Sequence, residues 1–326
     1  MSAADKAKLE FESGQTAVPM AKLTDSGNKK LFTAAAGLWS GVEGSEYNVK
    51  PNGLATGGVA SPAVSVTNDL VDVTALTCYL AGVLTAVGAG VDTAITRAAT
   101  LTHQISSVTV TAAGALAVLA GTEGNAFVET RGVAGGPPYI PTDSIEVAQV
   151  RLASGAAAVI TASEIFSTVG LHTEKYDYPV MSVDELNGEV TFAAALPAIH
   201  TGDISKEVWA SYATPDFFEV VDAYDYVPPE ESISVSSKAV YNSVKGSTSA
   251  SLSQGSFNTL LKDGVTDDLV AQQGQKLWFR FYPNRNKAPY ILCQGVLSFK
   301  RSFPSAGDMV MACQISAETK STGFSS

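Results

Sequence analysis

Three histidines, His103, His172 and His200, are the side chains of this 326-residue chain that titrate nearest neutral pH and most readily bind metals. They lie far apart, and none has a second His or Cys at metal-ligand spacing. His103, within Leu101-Thr-His-Gln-Ile105, reads as a strand residue with a local hydrogen bond. Adjacent carboxylates occur at Asp267-Asp268 and Glu230-Glu231. Two carboxyls converging on one bond would supply an acid and a base, but neighbours in sequence on a loop point apart. No nucleophile elbow, phosphate loop or dinucleotide fingerprint is present, and Gly246-Ser-Thr and Gly255-Ser read as turns. The residue types predict no catalysis, no metal and no cofactor.

Three cysteines, Cys78, Cys293 and Cys313, are an odd number set among apolar neighbours. They read as small buried hydrophobes of a reducing compartment. Residues 1–10 carry charges with no apolar stretch behind them, so no signal peptide and synthesis in the cytoplasm are expected. With 21 basic against 32 acidic residues the net charge is −11, which argues against a grip on nucleic-acid phosphates. An acidic surface would repel DNA. The uncharged run 74–91 approaches the length of a membrane span, but it is dense in Gly, Ala and Thr and bounded by Asp72 and Asp92. Paired strands are expected there, not a membrane helix.

The elements that must position these residues are strands. Hydrophobic residues make up 45% and charged residues only 16%, with Gly, Ala, Thr, Ser and Val crowding the first two hundred positions. Turn signals recur across 31–127, as at Pro51-Asn-Gly53, Gly57-Gly58 and Gly88-Ala-Gly90, the pattern of an all-β sandwich. The Gly/Pro loop 131–138 should be exposed, 144–152 should be a mixed strand with one polar edge, and 188–197 should form a hairpin with 208–213. The Pro pair of 224–231 reads as a linker. The expected division is an N-terminal arm or first strand over 1–30, an additional all-β domain over 31–223, and a C-terminal β domain over 224–326. Alternatively the last domain is discontinuous, with the middle inserted.

The C-terminal third is the most informative segment. Period-two runs cover 232–240, 247–253, 276–282, 290–301 and 308–318. In the third run Leu277, Phe279 and Phe281 share one face while Trp278, Arg280 and Tyr282 share the other, which predicts a contact surface as well as a core. Aromatic and Arg side chains dominate desolvated interfaces. Trp278, Arg280, Tyr282, Phe299 and Arg301 are therefore the candidate subunit-interface residues, with capping of a second core as the competing role for Trp278.

In the order of these strands, with a short helical connection expected within 256–272, the aromatic strand 277–282 and the long strand through Gln294-Gly-Val-Leu-Ser-Phe-Lys-Arg301, this third resembles the tail tube (major tail) proteins of long-tailed, siphovirus-like bacteriophages. The resemblance implies an antiparallel β-sandwich or barrel with one short helix, six-membered rings stacked into a hollow tube, and DNA passing through without sticking. It implies the tail of the virion as location, assembly in the host cytoplasm, no membrane, and contacts with the tape measure, tail terminator and distal tail proteins. Candidate lumen-facing acids are Asp263, Asp267, Asp268 and Glu318, with Asp222 and Asp225. The alternative is a β-sandwich adhesin or fibre-type module that binds a cell-surface glycan.

Overall fold

Strands make up nearly all of the regular structure, and burial alternates along many of them. In a computed structural model that describes residues 6–178 and 181–325, the fold is mainly β and made of several antiparallel sheets. The chain divides into two units. One takes residues up to 17, 38–47 and from 212 onward, and the other takes 18–37 and 48–211. The segment 224–326 lies wholly in the first unit, which also recruits the earlier pieces.

In this first unit the hydrogen-bonded strand order is Ala223–Val227, Gly255–Leu260, Val310–Ser316, Tyr290–Ser302, Lys276–Tyr282, then Lys8–Lys22 and Val208–Glu219, the last two contributing their parts up to Ala17 and from Tyr212. Both ends of that path are joined by the short link 220–222: Val220 N–H donates to Leu9 O at 2.8 Å, and Leu260 N–H reaches Asp222 O at 3.4 Å. The sheet must curl to bring its ends together, which sets its inner side chains against one another. Phe11, Phe257, Leu277, Phe279, Leu297 and Ile315 fill that interior, each contributing about 1.5–3 kcal/mol by leaving water.

Period two narrows one expectation and corrects another. The short helical connection expected within 256–272 is the 3-10 helix Asp268–Gln272, while Phe257 and Thr259 alternate into the interior, so Gly255–Leu260 is a strand paired with Val310–Ser316. The expected linker is an edge strand, Ala223–Val227.

The other face of the aromatic strand carries a second buried layer. Trp278 is 5% exposed, and its indole N–H donates to Trp39 O at 2.8 Å. Trp39 is fully buried and stacks on Tyr212 at 4.5 Å between ring centroids. Beneath them the buried Glu12 carboxylate accepts from Trp278 N–H and from the Ser40 hydroxyl.

In the second unit, Gln104–Val110 lies between Leu116–Ala120 and Ile145–Leu152. Both faces of Ile145–Leu152 are covered, in place of the one polar edge expected, because Glu146 is neutralised by Arg131. The uncharged run contains the hairpin Leu76–Leu80/Val83–Val87, whose turn residues Ala81 and Gly82 both have positive φ, as a two-residue type I′ turn requires. Among the described residues no helix is long and apolar enough to cross a membrane. Residues 208–213 do not pair with 188–197: Glu189–Phe192 pairs with Met181–Asp184 and Leu31–Thr33, while the start of Val208–Glu219 pairs with Asn48–Pro51. The intervening chain forms its own small hairpin, Ala198–His200/Ile204–Ser205.

Candidate assembly surface

Between Val227 and Gly255 the first unit extends a hairpin, Glu231–Val240 paired with Ser243–Leu252, that forms a two-stranded sheet of its own. Its register places serines opposite serines, and hydroxyl pairs Ser232/Ser251, Ser234/Ser249 and Ser236/Ser247 meet at 2.8, 2.7 and 2.8 Å. The same face ends in Lys238 directly opposite Lys245. The other face carries Ile233 opposite Ala250 and Val235 opposite Thr248. Ile233 is 70% and Val235 71% exposed, and Tyr241 at the tip is completely exposed. At its base Ser253 N–H donates to Glu230 O at 2.8 Å, and Lys320 bridges to Glu231 at 3.2 Å. An isolated two-stranded hairpin is marginal in water, and exposed apolar side chains on one add to that cost.

The opposite end of the same strand pair is concave. Ala223–Val227 and Gly255–Leu260 run antiparallel, so Asp222 and Leu260 lie at the end remote from the hairpin. There a hollow of 430 Å³ is lined by Phe11, Leu261, Leu269 and Met311 together with Glu219, Asp222, Lys262, Asp267 and Asp268. An adjoining hollow of 580 Å³ shares Phe11 and Asp268 and adds Phe218 and Val265, which are 53% and 71% exposed.

The loop that walls this hollow is held by its own acids. Asp267 accepts the backbone N–H groups of Lys262 and Gly264 at 2.9 and 2.7 Å. Asp263 accepts those of Val265 and Thr266 at 2.6 Å each. Hydrogen bonds from the Thr266 hydroxyl and these N–H groups pull the Asp263 carboxyl down to about 2. Two of the four candidate lumen acids are thus turn-forming residues, while Asp268 and Glu318 are exposed.

No family model matches this sequence, and no curated protein is significantly similar to it.

Each candidate interface residue has an intrachain role. Trp278 caps the second layer of its own unit and offers a neighbour no surface. Arg280 grips Glu10 through Nε and Nη2 at 2.7 and 2.6 Å and lies over Phe217 at 4.2 Å. Burial raises the Glu10 carboxyl, but bonds from Lys8 and Arg280 outweigh that and hold it below its usual range. Tyr282 faces Tyr290 at 5.4 Å, Phe299 packs on the core, and Arg301 donates to Gly264 O. Sequence reasoning did not single out the exposed Tyr241, Lys238, Lys245 and Phe218. The available signal was that 232–253 alternates serine with small apolar residues, which suits neither a core strand nor an ordinary loop.

Two histidines and an acid–base pair of the second unit are enclosed. His200 Nδ1 lies 3.3 Å from Ile140 O, His172 Nε2 lies 3.2 Å from Arg151, and burial lowers both imidazoles. Among the described residues no group of three or more His, Cys, Asp or Glu could hold a metal ion. Glu174 is 5% exposed, and neither carboxyl oxygen has a hydrogen-bond partner among the described residues. Burial pushes it up to about 8, and burial pushes the neighbouring, fully buried Lys206 down to about 8. Lys206 donates to Lys175 O, with its Nζ 4.5 Å from the Tyr178 ring centroid.

Proposed function

We propose that this chain is a structural subunit that polymerises into the hollow tail tube of a long-tailed bacteriophage, as stacked six-membered rings through which DNA passes. The observation that carries self-assembly is the hairpin Glu231–Leu252, exposed on both faces with Ile233, Val235 and Tyr241 uncovered. A tube is supported further by the resemblance carried by the strand sequence of the C-terminal third, and by the net charge of −11, which opposes adhesion of DNA to the wall. In this reading the tape measure, tail terminator and distal tail proteins cap and template the polymer.

The test is negative-stain electron microscopy with light scattering on the concentrated full chain, beside a variant whose residues 231–252 are replaced by a short Gly/Ser link. Rings or hollow tubes from the full chain alone are expected. A dispersed monomer indistinguishable from the deletion variant overturns the reading, and binding of that monomer to a glycan panel would put the adhesin in its place.

A further inference from the structure

Resting on the self-assembly reading, we infer that the hairpin tip of one copy seats in the acid-edged hollow of a second copy, with Tyr241 in the hollow and Lys238 and Lys245 against Asp222 and Asp268. Three features fit together. Tyr241 is a completely exposed aromatic at a tip, the residue type that anchors interfaces when it finds a pocket. The 430 Å³ hollow has an apolar floor and falls within the size range of pockets that take an aromatic ring.

Charge supplies the second fit. Lys238 directly faces Lys245 across the strands, a like-charge pair that costs stability in the lone hairpin. Both stand about 10 Å or less behind the tip at about 3.3 Å of rise per residue. Glu219, Asp222, Asp267 and Asp268 line the hollow against the single cation Lys262, and Asp222 and Asp268 are exposed and outside the turn hydrogen bonds that occupy Asp267. A seated tip would relieve the lysine pair against those carboxylates.

Polarity is the third. The hairpin leaves one end of the strand pair Ala223–Val227/Gly255–Leu260, and the hollow lies at the other end. Knob and socket at opposite ends make a heterologous, head-to-tail contact, which closes into a ring or runs on as an open polymer according to the rotation between copies. Either way the contact gives the assembly a direction.

Two variants separate this seat from the wider reading. The native cysteines are buried, so copies bearing Lys245→Cys and copies bearing Asp268→Cys, both at exposed positions, can be mixed with a short bis-maleimide. A cross-linked heterodimer in the mixture, absent when either variant is alone, is the expected result. Lys238→Glu with Lys245→Glu should lower the fraction that sediments about tenfold, and Asp268→Lys in the same chain should restore most of it. Assemblies that form normally with no heterodimer, or that ignore the charge reversal, overturn the seat while leaving self-assembly standing. A heterodimer without tubes or rings upholds the seat and removes the tube.

Discussion

Replacing Glu174 by Gln should stabilise the protein at neutral pH and leave it unchanged in acid. The native carboxyl is enclosed, has no hydrogen-bond partner among the described residues, and is pushed from 4.5 up to about 8 by burial. A raised native pKa means that the folded state holds the proton more tightly than the unfolded state. Below pH 4.5 both states carry it, and the group costs little. Between 4.5 and 8 unfolding releases the proton, so stability falls as pH rises, by about 1.4 kcal/mol per unit. The accumulated cost is about 3 kcal/mol at pH 7 and about 5 kcal/mol above pH 8. Lys206 does not cancel it, since its own native pKa is lowered to about 8 and its ammonium already bonds Lys175 O. Urea unfolding of wild type and Glu174→Gln at pH 4, 6 and 8 measures the difference directly. A gap that widens with pH is expected. A variant less stable than wild type at pH 7 would refute the reasoning, because it would mean that Glu174 is ionised and useful to Lys206.

Trp278→Ala should cost about 3–5 kcal/mol, read from the urea midpoint, because it empties the layer over Trp39; a loss below about 1 kcal/mol would return this side chain to the surface. Arg131→Ala should cost about 3–5 kcal/mol by leaving the buried Glu146 uncompensated, and Glu146→Gln added to it should recover much of the loss in the same unfolding assay. All three thiols are buried, with Cys78 and Cys293 pushed up to about 11 and Cys313 to about 12. A thiol-specific dye at pH 8 should therefore label none in the folded protein and all three after unfolding.

Much of the β architecture was legible because period two survives wherever one face is dry. Met311, Cys313 and Ile315 alternate inward, as do Leu277 and Phe279, and these strands were placed from the residues alone. The helical connection expected within 256–272 is confined to Asp268–Gln272, because Ser256, Asn258 and Thr259 hide a strand whose only large inward side chain is Phe257. Long-range partners defeat local reading for a different reason. Glu12 looks like an exposed acid in a charged terminal stretch until Trp278, Ser40 and Trp39 surround it. The knob at Tyr241 was hidden too, since nothing in a serine-rich alternation says that both of its faces stay wet.

Glu10 and its partner Arg280 are separated by 270 residues. During synthesis at about 5–20 residues per second, the N-terminal strand waits roughly 15–50 s for the edge it will join. Val208–Glu219 offers one flank earlier, but until residue 280 has been made Leu9 and Phe11 lack their partner strand Lys276–Tyr282, and the hollow, lined by Phe11 and Met311, is incomplete. The hairpin emerges from the ribosome before its socket is complete. In the seat inferred above, a new copy therefore owns its tip before its hollow, and the order in which the ribosome supplies the parts decides which end of the head-to-tail contact is ready first.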